Sequence, residues 1–222
     1  MSPARAAGTK GRRRLPPEER RAELLAHAID VFAEKGIGAA RHAEIAARAG
    51  VAVSTVFVYF PTREKLVEDV LDEVAEFFLR LLEAHHGQEK PAARVLAELG
   101  ESFLSLLESH RSHVLLWLEW GSAVRADVWP KYRAFTERAV AITRRTIERG
   151  KSEGSVAADA DAESLARLFA SSSQSIARLQ LGDVDDGTVR RFQDTVLRAV
   201  LDEAGVASVA VAATDAADET VG

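Results

Sequence analysis

The chain of 222 residues contains no cysteine, which excludes disulfides, thiolate nucleophiles and the usual structural zinc sites. It has no apolar run near the roughly 20 residues that a membrane span needs, and nothing near its start reads as a secretory signal. A cytoplasmic protein without membrane contact is therefore expected. Glycine-rich phosphate loops, a G-x-S-x-G elbow and an H-E-x-x-H pair are all missing. The sequence thus offers no enzyme chemistry, and no cofactor is expected. His110 and His113 lie three apart, a spacing compatible with a metal on one helix face. No further ligand set joins them, so no metal is expected either.

Apolar residues make up 47% of the composition, enough for an ordinary core without staples. The net charge of −5 argues against a protein that coats nucleic acid, but the charge is unevenly placed. Residues 1 to 66 carry 12 Lys/Arg against 7 Asp/Glu, and the remainder 17 against 27. The pattern is one basic face on an acidic body.

Along the chain every periodic stretch is helical. Residues 1 to 17, with Arg12, Arg13 and Arg14, have no apolar periodicity and read as a basic, disordered arm, either a solvated tail or a nucleic-acid contact. Pro16-Pro17-Glu18-Glu19 opens a helix that buries Leu25, Ile29 and Phe32 and closes at Gly36. Arg41 to Ala49 and Val53 to Tyr59 are short helices joined at Gly50, the sequence form of a helix-turn-helix. Thr62 then caps a helix expected to run to about Ala84, with a loop at His85-His86-Gly87. Further helices are expected over 91 to 109, 112 to 124, 127 to 152, 160 to 181 and 187 to 204, and a disordered tail from 205 to 222.

The block from Gly36 to Leu66 carries the most information. Gly36, Ile45-Ala46, Ala49-Gly50-Val51, Tyr59-Phe60 and Arg63-Glu64-x-Leu66 fall in register with the TetR family, which this sequence resembles. Residues 53 to 64 look like the LuxR/HapR-type quorum-sensing master regulators, a branch of that family. So does a second block, Trp117-Leu118-Glu119-Trp120, Arg125, Asp127-Val128-Trp129-Pro130 and Ile147-Glu148-Arg149-Gly150. The resemblance implies an all-α fold: a three-helix DNA-binding head over 18 to 65 and a helical ligand-binding and dimerisation domain over 66 to 204.

A helix-turn-helix lays its second helix in the major groove, where short side chains near its start reach base edges. Ser54 and Thr55 suit bases or phosphates, Tyr59 and Arg63 suit phosphate, and Arg63 and Lys65 sit just after a helix start that attracts anions. By the resemblance, Arg12 to Arg14 would enter the adjacent minor groove. This chain departs from the branch at Val58, where Asn is common and where Val offers only apolar contact. It departs again at Arg41, which stands where a capping Ser or Thr is usual and is either a phosphate contact or a surface cation. Phe57 replaces a frequent Tyr and is expected to keep a core contact.

Trp117, Glu119, Tyr132, Thr136 and Val140 match the lining of the branch's internal cavity, although aromatics at helical spacing equally suit plain core. A buried Glu119 would need to be neutral or to pair with a group such as Arg125. In the late helices Leu165, Leu168, Phe169, Ile176, Phe192, Val196 and Val200 read as core or as a paired-helix dimer seam. The expected partners are double-stranded DNA at a pseudo-palindromic operator, a second copy of the chain and a small-molecule effector. Two mechanisms stay open: a repressor released by a small apolar inducer, and a regulator, repressing or activating, controlled by its own abundance. A helical interaction module without specific DNA binding is the remote alternative.

Overall fold

The computed structural model describes residues 15–87, 89–123, 127–202, 206 and 209. Among these the only regular structure is helix, in agreement with the all-α expectation. Helix α1 (Pro17–Lys35) opens where Pro17 removes an N–H that the first turn could not satisfy and where Glu18 and Glu19 meet the positive end of the helix dipole. It stops at Gly36, whose φ of 87° is a conformation that side chains with a Cβ rarely adopt.

Helix α2 (His42–Ala49) starts from Arg41. The Glu44 carboxylate accepts the Arg41 N–H at 3.0 Å, the only half of a capping box available here, since a guanidinium has no lone pair to offer in return. Gly50, in the left-handed region, turns the chain into α3 (Val53–Tyr59). Thr62 Oγ1 accepts the Lys65 N–H at 3.1 Å and starts α4 (Arg63–His86). This helix runs past its expected end, so His85 and His86 belong to its last turn rather than to a loop. Each ring finds a partner across the bundle: His85 Nε2 meets Ser102 Oγ at 2.9 Å, and His86 Nδ1 meets Thr146 Oγ1 at 2.5 Å.

The body continues with α5 (Ala92–Ser109), α6 (Arg111–Ser122), α7 (Trp129–Glu153), α8 (Ala162–Leu181) and α9 (Asp186–Val200). Asp161 and Asp185 cap the last two by accepting the N–H groups of Glu163 and Thr188. Helix α9 ends earlier than the expected 204, with Leu201 extended. The tail expectation is corrected at two positions: Val206 and Val209 are helical and pack against the core. The other residues from 203 onward, and the arm at 1–14, lie outside the described residues.

Helix α1 packs on α2 and α6, α2 on α3, and α7 and α9 both pack on α8. One continuous apolar cluster reaches from Leu24 to Leu201. Phe32, Phe60 and Leu66 are fully buried in the head, and Phe78, Leu96, Leu99 and Trp120 in the body. Each such side chain contributes roughly 1.5–3 kcal/mol. Helix α4 serves both parts: its first turns lie under the head and its later turns wall the body. No helix among the described residues is long and apolar enough to cross a membrane.

Candidate nucleic-acid interface and effector cavity

Only Val56 of α3 is buried; it anchors the helix to the head, and the opposite face is bare. Val58 is 75% exposed, Phe57 46% and Val53 41%, beside the exposed Ser54 and the half-buried Thr55. A short helix that shows apolar and hydroxyl groups and no charge can lie against base edges and thymine methyls without repelling phosphate. Tyr59 is half-buried against the core.

Phe57 corrects the expectation of a core contact. It lies on the surface, stacked on the His42 ring at 4.2 Å between centroids and 6° between planes. His42 is itself buried and donates from Nε2 to the Phe60 carbonyl at 2.8 Å. It therefore ties the start of α2 to the end of α3 and orients the exposed helix. Sequence reading missed it because its partners lie 15 and 18 positions away.

The expected phosphate cations are engaged within the protein. Arg63 Nη2 donates to the carbonyls of Ile37 at 2.6 Å and Gly38 at 2.9 Å, and Arg41 Nη1 donates to those of Gly38 and Ala40 at 2.9 and 3.0 Å. Lys65 sits between Glu68 and Asp69, both at 3.0 Å, and both acids raise its pKa. Asp69 also holds Arg21 at 2.8 Å, whose guanidinium lies over the Phe60 ring. In this conformation Arg63 is a brace for the turn between α1 and α2. Arg12, Arg13 and Arg14 lie outside the described residues.

Inside the body a cavity of about 80 Å³ lies between α4, α5, α6, α7 and α8. The structure places Trp117, Tyr132 and Thr136 in its wall, together with Phe78, Leu82, Phe103, Phe135, Ala139, Thr143, Phe169 and Gln174. Gln174 Nε2 donates to the Tyr132 hydroxyl at 2.7 Å, and burial raises the Tyr132 pKa. The Trp117 indole N–H is buried without an acceptor. By contrast, Trp120 donates to the Val128 carbonyl at 3.1 Å and is plain core.

Two expected wall residues are not there. Val140 is core, because the inward stripe of α7 runs through 132, 136, 139 and 143 and position 140 points about 100° away from 139. Glu119 faces the head, where its Oε1 accepts the Ile37 N–H at 2.9 Å. Its partner among the described residues is a backbone group 82 positions away; Arg125 lies outside the described residues. The turn after α1 is therefore held from two sides, by Arg63 of α4 and by Glu119 of α6.

The proposed dimer residues divide as well. Phe169, Ile176, Val196 and Val200 are buried within the single chain, Leu165 and Phe192 are half-buried, and Leu168 is 44% exposed. The first four are core, because α8 is packed between α7 and α9 and spends its apolar stripe inside the protomer. Its outward face carries Ser164, Leu168, Ser171 and Ser175. His110 and His113 pack against Phe77, with ring centroids 4.7 and 4.5 Å away, and among the described residues no cluster could hold a metal ion.

Residues 24–70 match the family model described as bacterial regulatory proteins, tetR family. The transcriptional regulator LuxR of Vibrio harveyi is 33% identical over 158 residues, covering 71% of this chain and 77% of that protein. Among solved structures, FadR of Bacillus subtilis in complex with stearoyl-CoA superposes with a TM-score of 0.69 at 19% identity, over 82% of this chain and 97% of that one. A regulator of Saccharomonospora viridis in complex with choline gives a TM-score of 0.69 at 20% identity, over 81% and 94%.

Proposed function

The chain belongs to the TetR family of transcriptional regulators, and from that premise we propose that it binds a pseudo-palindromic operator as a two-fold homodimer whose DNA affinity is set by a small effector. It is a regulator of transcription, not an enzyme. The observation that carries the operator reading is α3 itself, a helix anchored by Val56 and His42 with Val53, Ser54, Thr55, Phe57 and Val58 turned outward. In this reading those side chains touch bases and Tyr59 a phosphate. Arg41, Arg63, Lys65 and the arm cations Arg12, Arg13 and Arg14 supply the salt-dependent part, Arg41, Arg63 and Lys65 by exchanging intramolecular partners for phosphate.

The effector reading is supported by the apolar cavity and the unsatisfied Trp117 N–H in its wall. Stearoyl-CoA and choline, bound by two structural neighbours, show that this fold accommodates ligands of very different chemistry. The outward face of α8 around Leu168 is the proposed centre of the dimer contact. A place in the quorum-sensing branch is supported by the likeness to LuxR along 77% of that protein. Action in the cytoplasm follows from DNA as the target.

Selection from random duplexes with purified protein tests the reading. A two-fold symmetric site, with half-sites about one DNA turn apart and preferred about 10³-fold or more over scrambled DNA, is expected. Weak binding blind to sequence at every salt concentration would overturn it.

A further inference from the structure

A second space adjoins the cavity along α4 and α7. On α4, Phe78, Leu82 and His86 follow one another at intervals of four, and on α7 Ala139, Thr143 and Thr146 form the facing row. The first two members of each row line the apolar cavity. The third members, His86 and Thr146, line an open cleft of about 390 Å³ on the other side. They are joined by a hydrogen bond 2.5 Å long, one helical turn on from the cavity-lining Leu82 and Thr143, and the second nitrogen of the ring, His86 Nε2, is buried without a partner.

The cleft differs in chemistry from the cavity it adjoins. Arg145 and Arg149 stand in its wall, close enough to the imidazole that their charges oppose its protonation, and with burial as the main cause the His86 pKa is held at about 4. The ring is thus neutral near pH 7, and the positive charge of the cleft comes from the guanidinia. Arg149 pairs with Glu153 at 3.2 Å, whereas Arg145 is exposed and has no ion pair among the described residues. Glu83 is the acid on the same cleft.

We infer that this cleft is the head-group subsite for an amphipathic anion, a carboxylate or phosphate on a short apolar tail, with the tail in the cavity and the His86–Thr146 pair as the partition it displaces. The inference rests on the effector reading above and gives the effector a chemical class. A cavity walled largely by aromatic and aliphatic groups, with no cationic side chain in its wall, has no charge to compensate a buried anion. A guanidinium in the adjoining cleft compensates it, through charge-assisted hydrogen bonds to either kind of anion. Glu83 opposes the same anion, so the two charges act with opposite sign.

Calorimetric titration of the full chain with four probes of equal tail length tests this: 1-octanol, octanoate, octyl phosphate and octyltrimethylammonium. Both anions are expected to bind about tenfold or more tighter than octanol, as charge-assisted hydrogen bonding implies, and the cation more weakly than octanol. The tighter of the two anions identifies the head group. Arg145→Ala should bring octanoate to the affinity of octanol and Glu83→Gln should tighten it. Neither exposed substitution should change octanol binding or the melting temperature. Equal binding of octanoate and octanol, or an Arg145→Ala variant that keeps the anion preference, overturns the subsite while leaving the effector reading in place. Failure of octanol as well, in protein that still binds its operator, overturns both.

Discussion

His86 meets Thr146 with one ring nitrogen and buries the other, and burial, with the neighbouring His85, Arg149 and Arg145 charges, lowers its pKa to about 4. In the unfolded chain the same group titrates near 6.5. Between those values the unfolded chain binds more protons than the folded one. The contribution of this site is therefore complete above pH 6.5 and is lost progressively as pH falls towards 4. His113, lowered by burial and by His110, acts in the same direction. Lowering the pH from 7 to 4.5 should cost about 2 kcal/mol at His86, at ~1.4 kcal/mol per pKa unit and allowing for its partial exposure. Urea unfolding of His86→Gln should show that share of the pH dependence removed, since the amide can still bond Thr146 and does not titrate.

Among the elements, the turn between α1 and α2 is held by side chains of two other helices. Arg63 holds its carbonyls from α4 and Glu119 holds the Ile37 N–H from α6, the helix whose Trp117 walls the cavity. Hydrogen bonds to charged groups are worth about 1.5–3 kcal/mol each. Arg63→Ala and Glu119→Ala should each destabilise the protein by that amount in chemical denaturation. The double variant should deviate from the sum by about 0.5 kcal/mol or more, because both side chains act on one turn. Helix α3 should behave in the opposite way. Val58 is 75% exposed, so Val58→Asn should leave stability within about 0.5 kcal/mol while changing the base preferred at one position of each selected half-site.

At the scale of the whole molecule, the single chain presents one reading helix and the operator is expected to contain two half-sites. The outward face of α8 has Leu168 as its large apolar side chain, 44% exposed among Ser164, Ser171 and Ser175. Leu168→Asp should convert a dimeric mass in light scattering at micromolar concentration to the monomeric one, with helix content retained. Specific operator affinity should fall with it. Unchanged mass would move the dimer contact elsewhere.

Much of this protein was legible in local sequence, because helix ends are set by single residues. Pro17, Gly36, Gly50 and Thr62 stand where the expectation put them, and the apolar stripe of α1 and the short turn into α3 follow from spacing alone. Periodicity says which face of a helix is apolar but not what covers it. Phe169, Ile176, Val196 and Val200 could therefore be read as a seam between chains, until the packing of α8 between α7 and α9 placed them inside one. Charged residues were harder still. Arg63 and Glu119 are answered by backbone groups 26 and 82 positions away, and His86 by a hydroxyl 60 positions away. The sequence by itself determined where the first helices start and turn. Only the tertiary structure decided which polar groups meet, because a buried donor or acceptor takes whichever partner the packing of distant helices brings within reach.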